Sequence, residues 1–210
     1  MTTLILTRHG QTEWNRIERF RGRIDVALNE TGLAQAAATS RRINAVWQPV
    51  AVYTSPMSRA VKTAEAIAAP RGLKVQIVEG LNDIDYGEWH GLTPSEVQSR
   101  WPDILDTWYR TPHLAQIPGG ETLQLLSQRC SEAIRQIIGQ HTDQTVVLIG
   151  HDSVNRVILL HALGLPLSRY WHLGQGNCAI NVIEAAQDDF TVISMNETCH
   201  LSSAADGLPA

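Results

Sequence analysis

Apolar residues in this chain follow two alternating rhythms. Short, nearly continuous runs occur at 3–7 (TLILT), 50–56 (VAVYTSP), 73–78 (LKVQIV) and 144–150 (QTVVLIG). Runs of this length, rich in Val, Ile and Thr, predict buried strands. Between them the spacing changes to that of a helix. Over 27–43, Asn29 is the expected N-cap, with Leu33, Ala36, Ala37, Ser40 and Ile43 along one face. Ala60, Ala64, Ile67 and Ala68 mark a second helix after Pro56. In GGETLQLLSQRCSEAIRQIIG, Leu126, Cys130, Ala133, Ile134, Ile137 and Ile138 form the clearest amphipathic stripe, closing at Gly139. A further helix is expected over 153–163. CAINVIEA and FTVISMN, separated by QDD at 187–189, read as two final strands joined by a hairpin turn.

Strands alternating with helices predict an α/β layered fold with a mainly parallel sheet, to which the last two strands add an antiparallel edge. The stretch 80–118 is less regular, rich in Trp, Pro and Asp, with short helices expected near 94–101 and 103–110. No repeat or linker divides the chain, so residues 1–210 are expected to form one domain with an irregular insertion at about 80–118.

Composition narrows the classes. The chain has 210 residues, 43% hydrophobic and 18% charged, with a formal net charge of −4. A phosphate-backbone binder usually carries a basic surplus, so nucleic acid is not the expected partner. A small anion remains possible, because a few arginines create a local positive site. Three cysteines without a CxxC spacing are poor material for a disulfide framework. They fit core or unreactive thiols in a reducing compartment, and the expected location is cytoplasmic. The N-terminus lacks the pattern of a leader peptide, and no apolar run approaches the ~20 residues of a membrane span.

In an open parallel sheet, ligands gather outside the C-terminal ends of the strands. Arg8 and His9 follow the first strand, Ser55 and Arg59 the second, and His151 the run TVVLIG. A lone loop histidine is usually a hydrogen-bonding residue, and a lone helix arginine a surface charge. Delivery of all of them to one edge points instead to an anion site. Arginine matches phosphate oxygens bidentately, and a neutral imidazole is a nucleophile near neutral pH. A phosphomonoester could thus react by in-line attack of a ring nitrogen on phosphorus. The leaving oxygen needs an acid, and LNDIDYGEWHG at 81–91 offers Asp83, Asp85 and Glu88.

Five blocks carry a family resemblance. LTRHGQTEWN, FRGRIDVALNETG, YTSPMSRAVKTAEAI, LNDIDYGEWHG with GGET, and VVLIGHDSVNR resemble, in order, the motifs of the histidine phosphatase superfamily, the phosphoglycerate mutase-like proteins. The resemblance implies a three-layer α/β/α phosphoglycerate mutase-like fold and no metal or other cofactor. It implies His9 as nucleophile, Asp83 as proton donor where the family more often has Glu, and Arg8, Arg59 and His151 around the phosphoryl group. Asn15, Arg21, Gly22, Tyr86, Asp152 and His200 become the substrate-binding candidates. Asp152 departs from the family's usual uncharged residue, and its carboxylate is expected to turn away from phosphate. Length and the C-terminal half (WYRTPH, LSRYWHLGQGN, SMNETCHL) resemble the metal-independent phosphoserine phosphatases, in which a C-terminal tail approaches the substrate. Tyr86 stands where that group is expected to have His.

The implied partner is a small phosphorylated metabolite, with L-phosphoserine leading. A phosphoglycerate mutase, or a phosphatase for α-ribazole phosphate or a sugar phosphate, is the alternative. A catalytically silent phosphate-binding module is a third reading, and the eight histidines lack the spacing of a metal site. A homodimer anchored by Trp101, Trp108, Tyr170 or Trp171 is possible, although these residues also suit the core or the mouth of the site.

Overall fold

A computed structural model of the chain describes residues 1–187 and 189–202. Six strands form one sheet: β1 (Thr2–Arg8), β2 (Ala51–Thr54), β3 (Val75–Ile77), β4 (Thr145–Gly150), β5 (Ile180–Ala186) and β6 (Asp189–Glu197). Their spatial order is β3-β2-β4-β1-β5-β6. The pairs β3–β2, β2–β4 and β4–β1 are parallel, whereas β1–β5 and β5–β6 are antiparallel. The mainly parallel sheet and its antiparallel edge are therefore as the pattern predicts. Gln187 takes the left-handed conformation in the β5–β6 turn (φ 58°), while Asp188 of the expected QDD turn lies outside the described residues.

Alternation along β1 explains the layers. Leu4 and Leu6 point to one face with Tyr53, Val146 and Leu148, while Ile5 points to the other with Val52, Val147 and Ile149. Helices then cover both sides. On the Ile5 side, α2 (Glu30–Val46) contributes Ile43, and α3 (Ser58–Ala68) contributes Ala60, Ala64 and Ile67. On the Leu4 side, α6 (Leu123–Gln140) and α7 (Asp152–Ala162) bring Leu126, Ile134, Val154 and Ile158. The result is a three-layer α/β/α fold.

Helix starts follow their caps. Asn29 accepts from the Gly32 amide at 2.8 Å, and Thr122 caps α6 through the Leu125 amide at 3.3 Å. A very short α1 (Glu13–Arg16) follows β1. The 79–118 stretch holds α4 (Pro94–Arg100), α5 (Pro102–Arg110) and short 3-10 turns. Its aromatics are inside the molecule. Trp89 and Trp108 are fully buried, as is Tyr170, and Trp101 and Trp171 pack against the same cluster. This corrects the expectation of a dimer anchor for Trp108 and Tyr170, whose rings are already enclosed by the chain. No described helix is long and apolar enough to cross a membrane.

One helical face also needs correction. Leu33 and Ala37 of α2 are exposed, and the buried stripe is Gly32, Gln35, Ala36, Thr39, Ser40 and Ile43. Backbone contact turns the helix this way. A Cβ on Gly32 would meet the Gln11 carbonyl oxygen at 2.1 Å, and one on Gly10 would meet the Gly32 oxygen at 2.4 Å. Gln35 Oε1 then accepts from the Gln11 amide at 2.9 Å. The loop after β1 and the first turn of α2 thus touch backbone to backbone.

That contact predicts an inversion of the usual helix rule, by which Ala is better than Gly by ~0.5–1 kcal/mol. Gly139→Ala, with nothing within 4 Å of its new methyl group, should gain about that amount in urea unfolding. Gly32→Ala should instead lose ~1–3 kcal/mol, because two backbones must separate.

Candidate active site

The strand order places β2, β4 and β1 side by side, so their C-terminal ends deliver side chains to one spot. β1 ends in Arg8, and the ladder continues one step further, from the His9 amide to the Gly150 carbonyl at 3.1 Å. β4 leads into His151, which caps α7. β2 leads to Ser55 and to Arg59 in the first turn of α3. His9 and His151 are 1% exposed, Arg59 0% and Asp83 6%. The two imidazole rings stand 5.1 Å apart, centroid to centroid.

His9 has a defined tautomer. Its Nδ1 lies 2.7 Å from the Gly10 carbonyl oxygen, which can only accept, so Nδ1 carries the hydrogen and Nε2 the lone pair. Burial, then the charge of Arg59 and the neighbouring His151, Arg8 and Arg21, hold the His9 pKa well below 6.5. Burial and then Arg59, Arg21, Arg8 and Arg129 do the same for His151. Both rings are neutral at pH 7. His151 Nε2 is 2.7 Å from Ser55 Oγ.

Three guanidinium groups surround these rings, and each is tied to backbone carbonyls. Arg8 donates to the Gln175 oxygen at 2.6 Å and Arg21 to the Trp14 oxygen at 3.1 Å. Arg59 donates to the oxygens of Ile24 (3.0 Å) and Gly22 (2.7 Å). Gly22 adopts φ +47°, and a Cβ there would meet His90 Nε2 at 2.4 Å, so this turn requires glycine. The Nε–H groups of Arg8, Arg21 and Arg59 are buried and have no hydrogen-bond partner. Burial, followed by the charge of Arg8, lowers the Arg21 pKa to about 10, which leaves it a cation at pH 7.

Asp83 is the carboxylate among them. Its Oδ2 accepts from Arg59 at 3.1 Å and lies 3.4 Å from His151 Nδ1. Its Oδ1 accepts from Ser153 Oγ at 2.6 Å and from the Ile84 amide at 2.9 Å. Three cations against one carboxylate leave two net positive charges, which match a phosphomonoester dianion. Among the described residues, no group of three His, Cys, Asp or Glu side chains is arranged to hold a metal ion.

The remaining candidates occupy different places. Asn15 accepts from the Thr12 amide and hydroxyl, both at 2.9 Å, and so fixes the loop after His9. Tyr86 stacks edge-on against Phe20 and Trp108, and burial, then Asp83 and Asp152, push its hydroxyl pKa up. Asp152 Oδ1 accepts from Arg156 Nε at 3.0 Å, so this carboxylate is engaged along its own helix. His200 lies in the short turn after β6. Its Nε2 is taken up by Thr39 Oγ1 at 3.0 Å and the Cys178 carbonyl at 3.2 Å, which dock the tail on α2.

Several supporting residues escape a reading from sequence. Arg129 on α6 donates to the carbonyls of Gly80 (2.9 Å), Asn82 (2.6 Å) and Asp83 (3.0 Å) and forks onto Glu121 at 2.7 and 2.9 Å. It clamps the loop that carries Asp83. Asn177 Nδ2 donates to the His9 carbonyl at 3.0 Å. A charged residue beside the apolar stripe of α6 is the only signal that could reveal Arg129.

Comparison with known proteins fits this geometry. Residues 4–198 match the family model described as histidine phosphatase superfamily, branch 1. The chain belongs to that superfamily. It is 32% identical over 201 residues to phosphoserine phosphatase 1 of Hydrogenobacter thermophilus, covering 96% of this chain and 95% of that one. It is also 32% identical over 209 residues to a metal-independent phosphoserine phosphatase of Arabidopsis thaliana, covering 97% and 84%. A mutant phosphoserine phosphatase from Entamoeba histolytica, in complex with phosphoserine, superposes with a TM-score of 0.86 at 26% identity, over 96% of this chain and 100% of that one.

The neutral histidines set a pH dependence of stability. In the unfolded chain each titrates near 6.5, whereas in the folded chain its pKa is lower. The unfolded state therefore binds more protons below pH 6.5, and stability falls as pH falls. Each ring should contribute ~1.4 kcal/mol per pH unit to that slope until it protonates in the folded state. Urea unfolding of the ligand-free protein between pH 7.5 and 5.5 should show it, with one such contribution missing in His151→Asn.

Proposed function

We propose that this protein is a phosphatase for L-phosphoserine, acting through a phosphohistidine on His9 without a metal. The observation that carries the reading is the cluster of three buried guanidinium groups, each with an unpartnered Nε–H, around the neutral His9 ring. An unmade buried donor costs ~1–3 kcal/mol, a cost that phosphoryl oxygens offset by accepting from it. The substrate follows from the two phosphoserine phosphatases with which the chain shares 32% of its residues.

In the first step His9 Nε2 attacks phosphorus in line, a P–N bond forms and the P–O bond to serine breaks. Arg8, Arg59 and His151 hold the phosphoryl oxygens, so that charge building on them meets fixed donors. Asp83 gives the departing serine oxygen its proton as the general acid. In the second step water gives its proton to Asp83 and its oxygen to phosphorus, the P–N bond breaks, and inorganic phosphate leaves. Ser153 and the Arg129 clamp keep Asp83 within reach of both oxygens. Arg21 and Tyr86 contact the serine moiety, while Asn15 and Gly22 act through the loops they shape. In this reading the chain works as one domain, to which the irregular 80–118 stretch supplies Asp83 and Tyr86.

Rapid quench with 32P-labelled phosphoserine should trap an acid-labile, base-stable phosphoryl group on the protein. Label persisting in His9→Ala would refute the nucleophile. Turnover should survive EDTA, and a parallel assay of 3-phosphoglycerate should show no isomerisation.

Asp83→Asn should cost ~10²–10⁴ in kcat on phosphoserine, the range expected for a lost general acid. On p-nitrophenyl phosphate, whose leaving group needs no proton, the loss should be much smaller. Equal losses on both esters would remove Asp83 from the acid role.

A further inference from the structure

His90 joins two segments that meet at the cradle. Its Nε2 lies 3.2 Å from the Arg23 amide and 3.2 Å from the Tyr86 amide. Both amides can only donate, so Nε2 carries the lone pair and the ring hydrogen is on Nδ1. One neutral imidazole thus bridges the 20–24 turn to the loop that carries Asp83 and Tyr86. The ring edge rests on the turn itself, because a Cβ on Gly22 would meet Nε2 at 2.4 Å and Cδ2 at 2.8 Å.

That turn holds two cations of the cradle. Arg59 donates to the carbonyls of Gly22 at 2.7 Å and Ile24 at 3.0 Å, and Arg21 opens the turn. Displacing it would carry both guanidinium groups out of register with His9 and Asp83. Phe20, just before it, is fixed by backbone bonds to Leu92 (2.9 Å) and Gly91 (2.8 Å). Beyond Phe20, Arg23 pairs with Asp85 at 3.3 Å and Glu121 at 3.5 Å. Its side chain is 39% exposed, and pairs of that kind are worth little. The imidazole, by contrast, grips the backbone of the turn.

The charges around His90 fit this use. Asp85 Oδ1 stands 3.7 Å from Nε2, beyond hydrogen-bond distance, and already accepts from the Gly87 amide at 2.9 Å. Burial, the largest effect, lowers the His90 pKa from 6.5, with Asp85 and Asp83 working against it and Arg23 with it. Tyr86 faces the ring edge-on at 6.5 Å. A proton on Nε2 would set a third donor against the two amides, so the bridge exists only while the ring is neutral.

We propose that His90 is a positioning residue, which as a neutral imidazole holds the 20–24 turn, and through it Arg21 and Arg59, in register with Asp83. Its protonation in acid unfastens the turn. The effect on turnover rests on the phosphatase reading, but not on serine as the leaving group.

The test uses His90→Gln, which sets a non-titrating amide oxygen near the place of Nε2, and His90→Leu, which removes the acceptor. On p-nitrophenyl phosphate at pH 7.5, His90→Leu should lose ~10-fold in kcat/KM, as for one or two lost hydrogen bonds, and His90→Gln should stay within ~3-fold of wild type. The ratio of wild type to His90→Gln should then fall by ~3-fold or more between pH 7.5 and 5.0, because titrations shared by both proteins cancel. Affinity for inorganic phosphate should follow the same order. NMR of the 15N-histidine-labelled, ligand-free protein should show His90 with its hydrogen on Nδ1 at pH 7.5. A hydrogen on Nε2, a His90→Leu activity within ~2-fold of wild type, or a ratio that does not change with pH would overturn the proposal. Should the wild type hydrolyse no ester while phosphate affinity keeps this pattern, the phosphatase reading falls and the His90 bridge stands.

Discussion

Backbone carbonyl groups hold the arginines of this site, and everything else about it depends on that choice of partner. Arg8 leans on Gln175, Arg21 on Trp14, and Arg59 on Gly22 and Ile24. A carbonyl satisfies an N–H without cancelling its charge, whereas a carboxylate would do both. Three cations can therefore be concentrated around His9 and His151, with Asp83 paired directly to just one of them, Arg59. Burial first, and then the same field, keep His9 and His151 neutral, and neutrality is what makes a ring nitrogen available for attack.

Much of this architecture was legible in the sequence, for a physical reason. Buried strands such as TVVLIG and the stripe from Leu126 to Ile138 are local patterns, repeated at the period of the backbone itself. Residues immediately after such strands must lie at the sheet edge, which brings Arg8, His9 and His151 together, and Arg59 joins them from the first turn of the helix after β2. The buried face of α2 departs from its apolar pattern because close contact between Gly10 and Gly32 determines the rotation. Leu33 gave way to a glycine, a choice that no hydrophobic scale contains.

What stayed hidden is long-range and polar. Arg129 lies 46 residues from Asp83 in the chain, yet it binds the Asp83 carbonyl, and Asn177 reaches back 168 residues to that of His9. Side-chain bonds to backbone leave no periodicity, since any residue offers a carbonyl. His200 is a case of its own: its Nε2 is engaged by Thr39 and Cys178, whereas its Nδ1 is buried without a partner. A histidine's chemistry depends on which of its nitrogens remains free.

The meeting of Gly10 with Gly32 has an evolutionary side. A loop fused to a helix by bare backbone leaves no side chain that drift could adjust, so the loop that follows His9 is set by main chain alone. Change of recognition would fall instead to side chains around the cradle, such as those at 21 and 86. On such a scaffold, new substrates would be acquired by repainting the rim, while the reacting centre passes unchanged from one descendant to the next.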